Sequence, residues 1–385
     1  MKVLGIIAEY NPFHNGHLYH LQKCRSEAEA DFVVAVMSGN FTQRGEAAVM
    51  DKWARSRAAV ECGIDLVLEL PFAYAVNSAE FFAKGGIGIL QGLGCVTHLG
   101  FGAEAGNLNS LMSIAEAHWE EDRALKHFLR TGISYAKAKE EWLKERLGAE
   151  MAALAITPNN ILALEYLKQL KKTGSTIIPV MVNRKGPGYL DPEPADRFAS
   201  ATAIRNHLGE AEREVYMPAP AVRLLREAPY ADKQRYFDLI RTVILRSSTE
   251  ELSKICSVSE GLENRIKSMV RTTGSLEELI ACISSKRYPK TRISRILCQT
   301  VMGLGDFQDA YYARVLAAGT KGMQLLRQIK KTAEIPVITN INKQNVLPPL
   351  LQYDMLASDI YHVLTGENLY HTCDRVVHPY IQPQE

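Results

Sequence analysis

The sequence predicts an α/β fold in which a doubly wound parallel sheet occupies the first half of the chain and a mainly helical part follows. Short apolar runs alternate with segments of helical composition up to about residue 215, as parallel strands joined by helices do. Polar and glycine-containing turns follow the runs, at the edge of such a sheet where ligands bind. The length of 385 residues suits two domains, which we expect at residues 1–215 and 216–385.

Turn and cap signals divide the chain into elements. Each predicted strand is a short apolar run bounded by glycine, proline or polar turn residues. Asn77 and Ser78 are typical of a helix start, and the proline-rich stretch 217–221 separates the two halves. The predicted strands cover residues 3–8, 31–37, 66–70, 96–101 and 175–182, with a short strand at 336–339, and the predicted helices cover residues 51–60, 79–90, 108–147, 236–245 and 276–283.

Composition indicates an ordinary globular protein with reduced cysteines. Apolar residues make up 46% of the chain and charged residues 23%, and no apolar run approaches the roughly 20 residues that a membrane span needs. One lysine precedes the first strand, so we expect no cleavable signal peptide. The seven cysteines are scattered without a C-x-x-C pair, which favours free thiols in the cytoplasm over a zinc site or disulfides.

The clearest site signal follows the first strand. A turn leads into His14, Asn15, Gly16 and His17, after which apolar residues recur at helical spacing. A strand, a tight glycine turn and a helix start aim backbone N–H groups at a phosphate. The two histidines add donors that can follow charge developing on that phosphate. The alternative is a turn with two incidental surface histidines.

A second motif lies far downstream, where Ser200, Thr202 and Arg205 open a helix. Two hydroxyls and a guanidinium form a group that can hold phosphate oxygens. An ordinary capped helix start is the alternative, because Ser and Thr are common N-cap residues. The pair of motifs together favours a nucleotide site.

These residues resemble the nucleotidylyltransferase superfamily, which has a Rossmann-like core and carries His-x-Gly-His after its first strand. The longer run from Gly5 to His17 (GIIAEYNPFHNGH) is similar to one branch, the bacterial tRNA(Met) cytidine acetate ligases. The similarity continues at residues 37–45, 101–104, 158–162 and 286–295, so it spans most of the chain. Members of this branch use ATP to activate acetate as acetyl-adenylate. They then acetylate N4 of the wobble cytidine of elongator tRNA(Met).

The resemblance implies the roles of the site residues. His17 would be the main transition-state donor, and His14 its phosphate-binding partner. The second motif would hold the β- and γ-phosphates, and Mg²⁺ would be held by the ATP phosphates rather than by a dedicated ligand cluster. The implied ATP-binding residues are Ile7, Ala8, Glu9, Tyr10, Asn11, Pro12, Phe13, His14, Asn15, Gly16, His17, Leu18, Tyr19, His20, Gly102, Asn160, Arg184, Ser200, Thr202 and Arg205.

Three of these assignments have plainer alternatives. Asn160 suits an ordinary helix cap as well as a nucleotide contact, and Gly102 suits a simple turn as well as close approach of adenosine. Arg184 and Lys185 open a glycine-rich loop and are candidates for clamping phosphates, with the resemblance favouring Arg184. Glu9 lies near the end of a predicted strand, where a carboxylate is more often a helix cap or a surface group than a ligand contact.

The second half carries a basic segment inside a nearly neutral chain. The net charge is +2, yet ten Lys and Arg residues accompany two Asp residues between positions 281 and 331. Tyr288, inside the densest part, is a candidate for stacking on a base. A solvated basic helix face is the alternative to a tRNA backbone partner. The expected tRNA-binding residues are Lys286, Arg287, Lys290, Arg292 and Arg295, and the other basic residues of the stretch are Arg314, Lys321, Arg327, Lys330 and Lys331.

Three functions account for these features to different degrees. The acetate ligase activity suggested by the resemblance uses both halves of the chain. A small-molecule nucleotidylyltransferase that releases pyrophosphate explains the two phosphate motifs but leaves the basic second half without a role. A non-catalytic RNA-binding factor would make both histidines dispensable. No residue stands out in the sequence as a general base for transfer of the acetyl group to the cytidine amine.

Overall fold

The computed structural model describes residues 1–104, 106–117, 135–184, 198–206, 211–341 and 346–383. Within these residues the strands form a single eight-stranded sheet in the order β5-β4-β1-β2-β3-β6-β7, with β8 beside β6. The strands are β1 (Val3–Ala8), β2 (Phe32–Ser38), β3 (Leu66–Leu70), β4 (His98–Ala103), β5 (Ile178–Asn183), β6 (Ala313–Ala318), β7 (Val337–Ile338) and β8 (Tyr380–Ile381).

The five strands of the first half are parallel to one another. The chain runs outward from β1 through β2 to β3, then returns to the other side of β1 for β4 and β5. The predicted α/β class and doubly wound, Rossmann-like sheet are therefore confirmed. The reversal of direction leaves a crevice between the carboxyl ends of β1 and β4, the place where ligands bind in open sheets of this kind.

Alternation along the central strands creates two cores. In β2, Val34 and Val36 join the core on one face, whereas Val33, Ala35 and Met37 join the core on the other face. Side chains of a strand point alternately to opposite faces, so a strand buried on both sides reads as a continuous apolar run. This is why the strands were visible in the sequence as uninterrupted apolar segments.

The helices begin where the sequence supplies caps. Asp51 accepts a hydrogen bond from Ala54 N at 2.6 Å and Ser78 accepts one from Phe81 N at 3.5 Å, each satisfying a first-turn donor. The helices are α1 (Asn15–Glu27), α2 (Lys52–Glu61), α3 (Phe72–Ala75), α4 (Ala79–Gly92), α5 (Leu108–Ala115), α6 (Tyr135–Leu147), α7 (Ala149–Leu154), α8 (Pro158–Lys172), α9 (Ala201–Asn206), α10 (Ala219–Glu227), α11 (Lys233–Arg246), α12 (Thr249–Ser253), α13 (Leu262–Met269), α14 (Leu276–Ile283), α15 (Lys290–Met302), α16 (Thr320–Thr332), α17 (Leu351–Thr365) and α18 (Leu369–Thr372).

Most predicted elements lie within one to three residues of the observed ones. The long helix predicted over residues 108–147 is replaced by α5, α6 and a stretch, 118–134, that lies outside the described residues. None of the helices in the described part of the chain is both long and apolar enough to cross a bilayer.

The sequence did not predict that strands of the second half of the chain join the sheet. The strand β6 pairs antiparallel with β3, and β7 and β8 then pair with β6 in parallel. The second half of the chain therefore extends the sheet of the first half in addition to supplying helices. The predicted domain boundary between residues 215 and 216 remains a proposal. The helical segment α10 to α15 follows it and separates, along the chain, the strands β1 to β5 from the strands β6 to β8.

A buried charge network fastens this extension to the parallel sheet. Lys52 Nζ lies 2.8 Å from an oxygen of Glu69 and 2.8 Å from one of Asp374. Arg314 Nη1 lies 3.0 Å from Glu69 and 2.7 Å from Asp374, and all four side chains are at most 3% exposed. Arg314 thus belongs to the interior and not to the basic surface that the sequence suggested.

We predict that Lys52→Met destabilises the protein strongly. The substitution removes one of two cations that neutralise Glu69 and Asp374, and an uncompensated buried charge costs about 3–5 kcal/mol. Urea unfolding followed by circular dichroism measures the change. Lys254→Met is the control, because its partner Glu250 lies on the surface and its loss should leave the free energy of unfolding nearly unchanged. Equal stability of the two variants would contradict a structural role for the network.

Candidate active site

A cavity opens at the carboxyl ends of β1 and β4, at the reversal point of the sheet. Its wall combines the turn after β1, the first turns of α1, the end of β4 and the start of α9. Its lining residues are Ile6, Ile7, Ala8, Glu9, Tyr10, Asn11, His14, Gly16, His17, Tyr19, His20, Gln43, Phe82, Phe101, Gly102, Asn159, Leu162, Tyr166, Val182, Arg184, Phe198, Ala199, Ala201 and Arg205.

A buried arginine holds the backbone at this edge of the sheet. Arg55 donates to Glu9 O at 2.6 Å, to Ser38 O at 3.1 Å, to Met50 O at 3.1 Å and to Gly39 O. These carbonyls belong to the segments that leave β1 and β2 and to the loop that precedes α2. Burial lowers the pKa of Arg55, and the four hydrogen bonds offset the cost of placing a guanidinium in the interior.

The two motif histidines form the start of α1. His14 Nδ1 accepts a hydrogen bond from Gly16 N at 3.0 Å, and His17 Nδ1 accepts one from His14 N at 3.3 Å. The pair thereby takes the two positions of a capping box, which Ser and Glu usually occupy. Their rings stack with centroids 3.8 Å apart.

This arrangement fixes the tautomer of both rings. A backbone N–H can only donate, so each Nδ1 is unprotonated and each neutral ring carries its proton on Nε2. Burial, followed by Arg184 and Arg205, lowers the pKa of His14 to about 3, and burial lowers the pKa of His17 well below its usual value. At neutral pH the cavity therefore has two uncharged imidazoles, each with an Nε2–H donor left for a ligand.

The second motif reaches the first through Arg205. Its guanidinium donates to Asn11 O at 2.9 Å and to Thr202 Oγ1 at 3.1 Å, and it lines the cavity. Ser200 is buried and accepts from Ala203 N at 3.1 Å, which is the helix-cap arrangement given above as the alternative. The structure brings Arg205 to the cavity wall, with Thr202 behind it as an orienting partner.

The strand β4 and the helix α8 supply the opposite wall. Gly102 and Arg184 line the cavity, and a Cβ placed on Gly102 would lie 3.4 Å from Arg184 Cγ. Asn160 is fully buried and bonds to the chain itself, accepting from Glu104 N at 3.0 Å and donating to Leu154 O at 2.9 Å. Its neighbour Asn159 lines the cavity and accepts from Arg184 Nη1 at 2.9 Å. Sequence reasoning missed Asn159, although it lies in the same Pro-Asn-Asn motif.

Several residues of the predicted ATP stretch support the cavity from behind. Asn15 Nδ2 donates to Val215 O at 2.9 Å, and Phe13 is buried against Tyr10 and His17. Leu18 packs against the core on that face of the sheet. The glycine-rich loop that begins with Lys185 lies outside the described residues.

The basic segment sits at the end of α14 and the start of α15. Lys286, Arg287 and Lys290 are exposed, and Arg292 lies over the ring of Tyr288 with its guanidinium carbon 4.6 Å from the centroid. Tyr288 itself is only 9% exposed and donates to Ser259 O at 3.1 Å. The expectation that its ring is available to stack on a base is therefore wrong. Its ring anchors the segment.

The described residues contain no group of three or more His, Cys, Asp or Glu side chains placed to hold a metal ion. Of the described residues that line the cavity, one is a carboxylate, Glu9. The other polar side chains of the lining are imidazoles, guanidiniums, phenols and amides, a set that suits an anionic ligand better than a bare cation.

A Rossmann-like parallel sheet with a cavity at its reversal point is typical of nucleotide-binding α/β proteins. The chain belongs to the HIGH Nucleotidyl Transferase family, which it matches over residues 1–375.

Relatives with more specific names match nearly the whole chain. It is 42% identical over 382 residues to the tRNA(Met) cytidine acetate ligase of Thermoanaerobacter sp. strain X514, with 94% of this chain and 95% of the relative covered. It is 38% identical over 407 residues to the enzyme of that name from Clostridium kluyveri, with 99% of each covered. The crystal structure of apo Thermotoga maritima TmcAL superposes with a TM-score of 0.92 at 30% identity, covering 100% of both chains. The same protein bound with alpha-thio ATP gives a TM-score of 0.89.

We predict that both motif histidines remain neutral Nε2–H tautomers at pH 5.5. Their lowered pKa values keep the rings uncharged through the pH range in which a histidine ordinarily gains a proton. Nitrogen-15 NMR of imidazole-labelled protein reports the tautomer directly, with the exposed His371 and His378 as reference signals. Positively charged rings at positions 14 and 17 at that pH would contradict the assignment.

Proposed function

We propose that the protein is an ATP-dependent ligase that activates acetate as acetyl-adenylate and acetylates N4 of the wobble cytidine of elongator tRNA(Met). The relatives that bear this name cover more than nine-tenths of the chain. The observation that carries the proposal is the pairing of two neutral Nε2–H donors with two arginines in a single cavity.

In the first step an acetate oxygen attacks the α-phosphorus of ATP and pyrophosphate leaves. His17 and His14 would donate to the α-phosphate oxygens as charge builds on them. Arg205 and Arg184 would hold the departing β- and γ-phosphates, and the hydrogen bond from Arg205 to Thr202 Oγ1 would orient the guanidinium. Positioning and electrostatics suffice for this chemistry, because phosphoryl transfer needs little covalent participation from the protein.

The adenosine would lie between the turn after β1 and the end of β4. Gly102 leaves room there for a close approach, and Ile7 and Phe101 add apolar walls. Asn160 would act on the nucleotide through the backbone, because its amide ties the residue after β4 to the last residue of α7.

Mg²⁺ would enter with ATP, bound to the phosphate oxygens. Mg²⁺ in nucleotide sites usually keeps several waters and takes few protein ligands, and the cavity fits that pattern because one carboxylate lies among its described lining residues. The ion would neutralise phosphate charge in the first step.

In the second step the cytidine amine attacks the acyl carbon of acetyl-adenylate and AMP leaves. The wobble base lies in a single-stranded loop, so it can be turned into a pocket at modest cost. The tRNA backbone would bind along the basic segment, mainly through the exposed Lys286, Arg287 and Lys290. The half-buried Arg292 and Arg295 would add positive charge from behind, and burial lowers the pKa of Arg295 to about 10.

We predict that His17→Asn lowers acetate-dependent exchange of pyrophosphate into ATP by about 10²-fold or more. Asparagine keeps an acceptor near the position of Nδ1, so the start of α1 is preserved, but it lacks the Nε2–H donor. His371→Asn is the matched control on an exposed site and should leave exchange unchanged. Undiminished exchange in His17→Asn would remove the histidine from the mechanism. Exchange without acetate, on addition of a phosphorylated acceptor, would instead identify a small-molecule nucleotidylyltransferase.

We predict that Lys286→Glu combined with Lys290→Glu weakens tRNA binding and flattens its salt dependence. Each lost phosphate contact should lower the slope of log affinity against log salt by about 1. Binding at several salt concentrations, followed by fluorescence anisotropy of labelled tRNA, measures the slope. Lys172→Glu, at the exposed end of α8, is the control. An unchanged slope in the double variant would show that the RNA backbone binds elsewhere.

A further inference from the structure

We propose that Glu9 is the general base of the acyl-transfer step. The assignment rests on the proposed function and adds to it the residue that removes a proton from the cytidine N4 amine. It draws on three features of the structure: the place and hydrogen bonds of Glu9, the hydrogen bonds and protonation of the other cavity side chains, and the contact between the Glu9 wall and the basic segment.

Glu9 is the first residue after β1 and lies on the cavity wall. Its carbonyl oxygen is held by Arg55 at 2.6 Å, and its Oε1 accepts from Gln43 N at 2.7 Å. Among the residues that the structure describes, Oε2 has no hydrogen-bond partner. The carboxylate is therefore oriented through one oxygen and keeps the other available to accept a proton.

The described histidines of the cavity already have hydrogen-bond partners for their rings. The Nδ1 lone pairs of His14 and His17 accept backbone N–H groups, so their Nε2 atoms carry protons. His20 Nε2 lies 3.3 Å from the thiol sulfur of Cys24. Histidine is the usual general base. Here His14 and His17 carry a proton on Nε2, and His20 already has Cys24 as a partner.

The other polar groups of the lining do not accept protons readily at neutral pH. Phenols ordinarily keep their protons there, and burial raises the pKa of Tyr10 and of Tyr166 still further. Arginine stays charged and amides are not bases. Within the described part of the chain, Glu9 is the one carboxylate on the cavity wall.

The wall that carries Glu9 also touches the basic segment. Gln43, the partner of Glu9, lies in a loop closed by pairing of Phe41 with Ala47. At the tip of that loop, a Cβ on Gly45 would lie 2.6 Å from the backbone oxygen of Ser294, on α15. The helix that begins at Lys290 therefore packs directly against the loop that orients the Glu9 carboxylate, so RNA held by that helix would meet the cavity on this side.

In the proposed step the acetyl group passes from AMP to the cytidine amine. The N4 nitrogen of cytidine forms a bond to the acyl carbon of acetyl-adenylate, and the bond from that carbon to the AMP oxygen breaks. The N4 proton passes to Glu9 Oε2, and AMP leaves with its phosphate charge held by the histidine and arginine donors. A positioned base contributes about 10²–10⁴-fold to such a step.

The experiment compares the two half-reactions in Glu9→Gln. Glutamine can still accept from Gln43 N through its amide oxygen, so the local fold is kept while the base is lost. The first half-reaction is followed with hydroxylamine, which traps acetyl-adenylate as acetohydroxamate without help from a base. The second is followed as transfer of labelled acetate to tRNA in a single turnover. Glu46→Gln, an exposed carboxylate in the same loop, is the matched control.

We expect Glu9→Gln to form acetohydroxamate at nearly the normal rate and to acetylate tRNA at least about 10²-fold more slowly, with Glu46→Gln normal in both assays. Loss of both half-reactions would overturn the proposal and place Glu9 in ATP activation or folding. Retention of both would also overturn it. Absence of acetate-dependent hydroxamate from the unsubstituted protein would instead contradict the proposed function, which keeps the two failures distinct.

Discussion

A buried guanidinium fixes the geometry on which the site depends. Arg55 draws together the carbonyl groups that leave β1 and β2, so the turn that carries the motif histidines starts from a defined point. Such a group persists in the interior only when its donors are satisfied, and here backbone oxygens satisfy them. Tyr10 follows Glu9, one of the residues whose carbonyl oxygen Arg55 holds. Its backbone is left-handed with φ of 47°, a conformation that a non-glycine residue keeps only where its surroundings enforce it.

Histidine and arginine contribute differently to the electrostatics of the cavity. Burial and neighbouring charged groups lower the pKa of His14 and of His17, so in the proposed reaction these neutral rings would donate hydrogen bonds while Arg184 and Arg205 would supply positive charge. Backbone N–H groups fix both tautomers, and this orientation requires no additional side chain. A preorganised set of donors of this kind stabilises charge that develops on a phosphate more than it stabilises the ground state. The same engagement of lone pairs leaves Glu9 as the carboxylate suited to proton removal.

The sequence predicted the parallel sheet well because a strand buried on both faces must be a continuous apolar run. It also predicted the turn that brings His14, Gly16 and His17 to the cavity wall, and the contact of this turn with a phosphate stays a prediction. The antiparallel partner of β3 could not be predicted in the same way, because a short run such as Ala313–Ala318 does not state which strand it joins. The sequence did not show that Asn159 lies on the cavity wall while Asn160 bonds to the backbone, because helix phase decides which of two adjacent side chains faces the cavity. The sequence indicated that Arg314 and Tyr288 lie on the surface, because it does not show the buried partners that tertiary packing gives them.

In the proposed function, the cavity that binds ATP and the basic segment that would bind tRNA meet at the loop that orients Glu9. Nucleoside mass spectrometry of unacetylated tRNA, after incubation with the protein, ATP, Mg²⁺ and isotope-labelled acetate, tests the proposed ligase activity most directly. We expect labelled N4-acetylcytidine in elongator tRNA(Met) and nowhere else in the tRNA pool. Unlabelled tRNA, with pyrophosphate released only when a phosphorylated small molecule is supplied, would contradict that activity.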